Sequence, residues 1–207
     1  PASFNLDRPL MDKLLSEVLE IAQELFDEEQ LSAPIPRVAP DEMRQRVDLS
    51  LASTGIPVDD VMARMRAVVR VTPRTSSRRF FNQLYAGRLE IASAAEMLTG
   101  LLNVSMYTYK IAGPMILIEN EIIARMCRFA GFPNGFGIAV PGGSMANLVG
   151  MMLGRNRAMP NLRNNGADGR RLTYYLSQEG HYSVVKNAGI LGTGRANVRL
   201  IATDVLG

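Results

Sequence analysis

The sequence has few of the residues that cross-link a chain or bind a metal. Its 207 residues include one cysteine, Cys127, and one histidine, His181. A single cysteine excludes a disulfide within the chain and favours a reducing compartment, so we expect a cytoplasmic protein. One Cys and one His are too few for the ligand set of a structural zinc site, so we expect no metal.

Long apolar runs and a strong charge imbalance are also missing. No stretch of about eighteen uncharged apolar residues occurs, which predicts no membrane span. Residues 1–10 lack the basic and then apolar pattern of a secretory signal. The net charge is +3, from 23 basic and 20 acidic residues, which is too mild to indicate nucleic-acid binding. The basic residues are arginines except for Lys13, Lys110 and Lys186.

The first half of the chain shows apolar residues at helical spacing. A stripe within residues 10–26 predicts an amphipathic helix, and it consists of Leu10, Leu14, Leu15, Val18, Ile21, Ala22 and Leu25. A second helix is predicted to start at Pro40, where two acidic residues follow the proline. Further helices are predicted over residues 59–69, 91–103 and 114–130. The proline-rich residues 32–40 and the polar residues 73–79 are predicted connections.

The second half alternates between short apolar runs and helical patterns. Residues 136–140, 172–176 and 198–202 are predicted strands, and residues 145–159 and 181–191 are predicted helices. Strands that alternate with helices indicate an α/β fold with a parallel sheet. Because three strands would leave at least one unprotected edge, we expect the chain to continue beyond residue 207.

Two strand-to-helix junctions carry the candidate chemistry. Gly142, Gly143 and Ser144 open one helix, where glycines and free N–H groups suit a phosphate. Taken alone, they also fit an ordinary tight turn with a serine cap. His181 follows the next predicted strand, and a lone histidine is often only structural. Ligands of open parallel sheets bind beyond the carboxyl ends of the strands, so both junctions are expected on one rim.

Five segments together resemble the ordered landmarks of group II pyridoxal-phosphate (PLP) decarboxylases. They are residues 79–84 (RFFNQL), 106–109 (MYTY), 141–144 (PGGS, with Asn147), 181–183 (HYS) and 191–194 (LGTG). The FFNQL and PGGS motifs are most similar to the glutamate and cysteine-sulfinate branch. The resemblance implies an N-terminal helical segment and then the start of an aspartate aminotransferase-like large domain of PLP fold type I. The mainly parallel sheet of that domain would be incomplete in this chain.

The resemblance also implies roles for individual residues. Gly143 and Ser144 would bind the PLP phosphate, and His181 would stack on the pyridine ring. Gln83 would hold the distal acidic group of the substrate, and Leu84 and Tyr85 would line its pocket. The family's lysine that holds PLP and its aspartate on the ring nitrogen lie downstream of the matching segments. We therefore expect residues 1–207 alone to be inactive.

The implied organisation is a dimerisation segment over residues 1–78 and the first part of the PLP-binding domain over residues 79–207. Relatives intertwine their N-terminal helices, which predicts a homodimer. Departures from the family pattern concern the substrate more than the cofactor, and they are Ser77, Arg78, Tyr85, Lys110 and Gly113. The leading interpretation is a decarboxylase of glutamate, cysteine sulfinate or aspartate. A non-catalytic relative and another PLP reaction, such as oxidative decarboxylation–deamination, are the alternatives.

Overall fold

The computed structural model describes residues 7–35, 37–85, 87–167 and 169–204, which belong to two compact units. In the first unit, Pro1–Asn103, the described residues form helices α1 (Arg8–Glu29), α2 (Pro40–Arg46), α3 (Val58–Val71) and α4 (Glu90–Leu102). The Asp7 carboxylate caps α1 by accepting the Leu10 N–H at 3.0 Å. Helix α1 packs against α3, which buries Ile21 on α1 and Met62 on α3.

The second unit, Val104–Gly207, combines helices with a parallel strand pair. Its helices are α5 (Tyr109–Ala112), α6 (Pro114–Phe129), α7 (Gly143–Ala158), α8 (Leu162–Asn165) and α9 (Ser183–Ile190). Strands β1 (Tyr174–Ser177) and β2 (Val198–Ile201) pair in the register Tyr174 to Val198. Helix α9 connects these two parallel strands, so β1, α9 and β2 form a βαβ unit.

Most of the predicted elements form close to their predicted limits, but the strand at residues 136–140 does not. In the described chain this segment pairs with no strand. The Ala139 N–H donates instead to the Glu119 carboxylate on α6 at 3.1 Å. A ladder needs a neighbouring strand to complete its backbone hydrogen bonds, and apolar character alone does not supply that neighbour.

The predicted stripe on α1 is partly covered within its own unit. Ile21 is buried, whereas Leu10, Leu14, Leu15 and Val18 are half-buried. The stripe's proposed role in dimerisation stays a prediction. Among the described residues, no helix is long and apolar enough to cross a bilayer. Residues 1–6 lie outside the described residues. They are part of residues 1–10, for which the sequence predicts no secretory signal.

Candidate functional site

The turn into α7 leaves two backbone N–H groups without an acceptor. Gly142 has φ 87°, a backbone conformation that glycine adopts readily and other residues avoid. Its carbonyl accepts the N–H groups of Met145 and Ala146, both at 3.1 Å. Within the described chain, the N–H groups of Gly143 and Ser144 have no acceptor. Such N–H groups at a helix N-terminus form a binding site for an anion.

The space in front of this turn is open. A Cβ built on Gly143 would meet no atom within 4 Å, and Ser144 is exposed. The 16-residue helix α7 adds the positive end of its dipole at the same place. The turn therefore offers both donors and room to a phosphate-sized group.

A second tight turn brings His181 to the start of α9. The Gly180 N–H donates to the Ser177 carbonyl at 2.8 Å, directly after β1. A Cβ on Gly180 would overlap the Leu176 side chain and lie 2.9 Å from the Ser177 carbonyl oxygen. Only glycine fits this close approach, so Gly180 fixes the path by which the chain leaves β1 and reaches His181.

The imidazole of His181 is held through one of its nitrogens. Its Nδ1 lies 2.8 Å from the Ser183 Oγ and accepts the Ser183 N–H at 3.3 Å. Ser183 is fully buried, whereas His181 itself is exposed. The Tyr182 ring packs beside the imidazole, with 4.4 Å between centroids and 36° between planes. Nε2 makes no hydrogen bond with the described chain, which leaves it available to a ligand.

Two asparagines join the start of α7 to the start of α9. The Asn147 side-chain amide donates to the Ser183 Oγ at 2.9 Å. The Asn187 amide, which is buried, donates to the Ser144 carbonyl at 2.9 Å. The anion-accepting turn and the histidine therefore belong to one hydrogen-bonded assembly, which we call the α7–α9 junction: Ser144, Asn147, His181, Ser183 and Asn187.

The far ends of these elements are fixed as well. Arg155, near the end of α7, donates to the Leu191 carbonyl at 2.7 Å, where α9 ends. The Tyr174 hydroxyl on β1 donates to the Met151 carbonyl of α7 at 3.1 Å. Helix α7 is thus hydrogen-bonded to neighbouring elements at both ends.

The predicted site residues of the RFFNQL segment lie in the first unit. Gln83, Leu84 and Tyr85 are all exposed, and the Leu84 N–H donates to the Asn82 carboxamide oxygen at 2.8 Å. The Tyr85 ring meets the Phe80 ring edge-on at 5.7 Å. The roles predicted for these three residues in substrate binding stay predictions.

A buried arginine before this segment and a half-buried arginine after it anchor the segment. Arg74 donates to the carbonyls that end α3, including Val69 at 2.6 Å. Arg88 holds the buried Glu29 carboxylate with distances of 2.7 and 3.4 Å, and it also covers the Phe26 ring at 4.7 Å. The two ends of the segment are therefore tied to helices α3 and α1.

The lysines occupy three different helices. Lys13 on α1 bonds to Asp59 on α3, and this hydrogen bond raises the pKa of Lys13 above its usual value. Lys110 lies on α5 and Lys186 on α9, and both side chains are exposed. Hydrogen bonds from Ser50 lower the pKa of Asp48, which also lies in the first unit.

The sequence singled out Gly143, Ser144 and His181, and the structure brings them together, although their chemical roles stay predictions. It did not single out Asn187, and Asn147 and Ser183 entered only as motif residues. Spacing offered a signal, because Ser183 and Asn187 are four residues apart and Ser144 and Asn147 are three apart. Such pairs share one helix face, where polar residues on an otherwise apolar helix indicate a partner.

Known proteins match this chain along most of its length. The family described as "Pyridoxal-dependent decarboxylase conserved domain" matches residues 40–206. The acidic amino acid decarboxylase GADL1 of Bos taurus is 38% identical over 166 residues, which are 80% of this chain and 32% of the relative. The cysteine sulfinic acid decarboxylase of Homo sapiens is 37% identical over 169 residues, covering 81% of this chain and 34% of the relative.

A solved structure agrees in fold. The crystal structure of mouse CSAD superposes with a TM-score of 0.91 at 32% identity, over 98% of this chain and 43% of that one. By this likeness, the βαβ unit and its flanking helices belong to the α/β fold of the PLP decarboxylases. The present chain forms a part of that fold. The chain spans about a third of the length of the curated relatives it matches. On this match and its ordered motifs, the chain belongs to the pyridoxal-dependent decarboxylase family, whose members are PLP-dependent carboxy-lyases.

Proposed function

We propose that this chain supplies the phosphate site and the ring-stacking histidine of a PLP-dependent decarboxylase of an acidic L-amino acid. Glutamate, cysteine sulfinate and aspartate are the candidate substrates. The observation that carries the proposal is the α7–α9 junction, which joins an anion-accepting turn to an exposed imidazole. The names of the relatives, acidic amino acid decarboxylase and cysteine sulfinic acid decarboxylase, support the substrate class.

The turn fits the phosphate of the cofactor. The N–H groups of Gly143 and Ser144 lack acceptors in the described chain, and the space beside Gly143 is empty of protein atoms. These two residues would hold the phosphate with their backbone, and the Ser144 hydroxyl would add a third donor. When bound, PLP supplies an electron sink for the electron pair that remains after carbon dioxide leaves.

His181 would pack against the cofactor ring and keep it in place. Its backbone position follows from the Gly180 turn, and its ring orientation follows from the bond between Nδ1 and Ser183. Tyr182 packs beside the imidazole and restricts its rotation. A histidine held in this way can support a planar ligand without a rearrangement of the backbone, which lowers the entropic cost of binding.

Gln83 would select the substrate by binding its distal acidic group with the side-chain amide, and Leu84 and Tyr85 would line the same pocket. Their exposure in the first unit leaves these side chains accessible to a ligand. Tyr85 stands where this branch of the family has a small residue, so it would narrow the pocket. We expect the identity of the preferred acidic substrate to depend on this tyrosine.

The remaining machinery would come from the rest of the enzyme, either as a continuation or as a separate chain. This machinery is the lysine that holds PLP and the aspartate that pairs with its ring nitrogen. The chain's share of its relatives, about a third, is consistent with this division. We further propose a cytoplasmic homodimer with residues 1–78 at the interface, supported by the single cysteine and by the half-buried stripe on α1.

The phosphate site is tested with Gly143→Ala in the complete enzyme, with Gly150→Ala as the matched control. Both glycines lie in α7, and an added Cβ meets no protein atom at either one. At Gly143 the methyl group would enter the anion site, so the affinity for PLP should fall on the order of tenfold, equivalent to about 1.4 kcal/mol. PLP binding is measured by equilibrium titration, and carbon dioxide release is measured with the three substrates. If the two variants bound PLP with equal affinity, Gly143 would not be part of the phosphate site.

The division of the machinery is tested with residues 1–207 expressed alone. With PLP and each acidic substrate, we expect no carbon dioxide release, because a catalytic amine must reach the cofactor. Turnover together with a borohydride-reducible adduct on Lys13, Lys110 or Lys186 would contradict this expectation.

A further inference from the structure

The hydrogen bonds behind His181 have only one consistent direction. The Ser183 backbone N–H can only donate, and it points to His181 Nδ1 at 3.3 Å. At this length the bond is weak, so it favours Nδ1 as the acceptor nitrogen of the neutral imidazole, which has one donor and one acceptor nitrogen, and the shorter bond to the Ser183 hydroxyl decides between the tautomers. The single proton of the neutral ring then lies on Nε2, the nitrogen that is free of protein partners in the described chain.

The direction of this hydrogen bond also determines the direction of the next two hydrogen bonds. With Nδ1 as acceptor, the Ser183 hydroxyl, 2.8 Å away, donates its only proton to the imidazole. The Ser183 Oγ can then only accept from its other neighbour, and the Asn147 amide N–H₂ lies 2.9 Å from it. Because Ser183 is fully buried, water does not replace either partner. Asn147 thus supplies the donor that keeps the serine proton directed at the histidine.

We infer that Asn147 and Ser183 are positioning residues that hold His181 in the neutral form protonated on Nε2. This deepens the proposed function and rests on it in one respect, namely that the exposed face of His181 meets the cofactor. The opposite tautomer would place Nδ1–H against the Ser183 N–H, two donors facing each other, so the junction disfavours it. The cofactor and the substrate would accordingly meet an N–H donor at Nε2.

An isosteric change at Asn147 reverses the direction of the chain of bonds. In Asn147→Asp the side chain loses its N–H₂ and becomes an acceptor only. The Ser183 proton then turns to the new carboxylate, and the Ser183 Oγ becomes free to accept from Nδ1–H of His181. We expect N147D to move the imidazole proton from Nε2 to Nδ1. A purely structural role for Asn147 would not have this consequence.

The tautomer is read by magic-angle-spinning ¹⁵N NMR of the complete enzyme, labelled at histidine and free of PLP. The His181 signals are identified by their loss in His181→Gln. The wild-type enzyme should show Nδ1 without a proton and Nε2 with one, and N147D should show the reverse. The control Asn156→Asp makes the same change in α7, where the side-chain oxygen already accepts from Arg155, and it should keep the wild-type signals.

A second variant guards against misfolding of N147D. Ser183→Ala loses the hydroxyl and retains only the weak backbone contact at 3.3 Å, which is too weak to select one tautomer, so both tautomers should become populated. A wild-type spectrum with the proton on Nδ1 would overturn the inference, and so would wild-type signals in either N147D or S183A. In the loaded enzyme, N147D should lower kcat roughly tenfold or more, as a wrong histidine tautomer does in other enzymes. Because the NMR samples contain no PLP, a failure to bind PLP would count against the proposed function alone.

Discussion

The two compact units are held by different kinds of bonds. In the first unit, ion pairs cross between helices, such as Arg66 to Glu20 at 3.4 Å and Arg70 to Glu24 at 3.1 Å. In the second unit, neutral amides, hydroxyls and backbone groups make the connections of the α7–α9 junction. Exposed charges attract over many geometries, whereas a neutral hydrogen bond requires a narrow range of distances and angles. The second unit, which contains the candidate cofactor site, is therefore held by neutral hydrogen bonds, which fix the relative positions of the bonded groups.

An exception to this comparison lies in the first unit, at the Arg88 anchor of the RFFNQL segment. Glu29 is buried, and its carboxylate is held by two nitrogens of Arg88. A paired arginine and carboxylate in this fork arrangement are directional as well as charged. The first unit therefore uses its well-ordered ion pair beside the segment with the predicted substrate residues.

The largest loss of stability is expected when the ion pair between Arg88 and Glu29 is broken. Arg88→Met would leave the Glu29 carboxylate buried without its partner and would also remove the packing on Phe26. We expect a loss of about 3 kcal/mol in the free energy of unfolding, measured by chemical denaturation of the complete protein. The double variant R88M/E29Q removes the unpaired charge and should recover a large part of the loss. Equal stability of the single and the double variant would show that the buried charge is not the cause.

A smaller effect is expected in the α7–α9 junction. Asn187→Leu keeps the branched shape of the side chain but cannot donate to the Ser144 carbonyl, so it should cost about 1–3 kcal/mol of stability. It should also weaken PLP binding, because this bond sets the position of the turn into α7. The control Asn120→Leu lies exposed on α6 and should change neither quantity. If N187L lowered the stability but left PLP binding unchanged, the junction would be structural only.

The smallest effect is expected for the exposed ion pairs of the first unit. Arg66→Gln removes the contacts to Glu20 and Glu24, whose distances are 3.4 and 3.6 Å. We expect a loss of less than about 1 kcal/mol, which decreases further as salt is added. Chemical denaturation at low and high salt measures both values. A salt-independent loss as large as that of R88M would contradict the contrast between exposed and buried pairs.

The sequence predicted both paired strands and the helices other than the four-residue α5 and α8, since periodicity and capping residues are local signals. It predicted Gly142 to Ser144 and His181 as site elements for the same reason, because each follows a predicted strand and opens a helix. The prediction of a strand at residues 136–140 was wrong because strand formation does not depend on local signals alone. Strand formation depends on a neighbouring strand, and in this structure the Ala139 N–H bonds to Glu119 on α6.

By itself, the sequence determined the local conformations: the left-handed Gly142, the close turn at Gly180, and the helices that begin after them. Only the tertiary structure decided which polar groups meet. Asn147 and Ser183 are 36 residues apart, and Ser144 and Asn187 are 43 apart. A local pattern can show that a buried polar residue needs a partner, but its partner is fixed only when α7 and α9 dock. The direction of the bonds to His181 therefore depends on tertiary packing, because the Asn147 donor reaches Ser183 only in the folded chain.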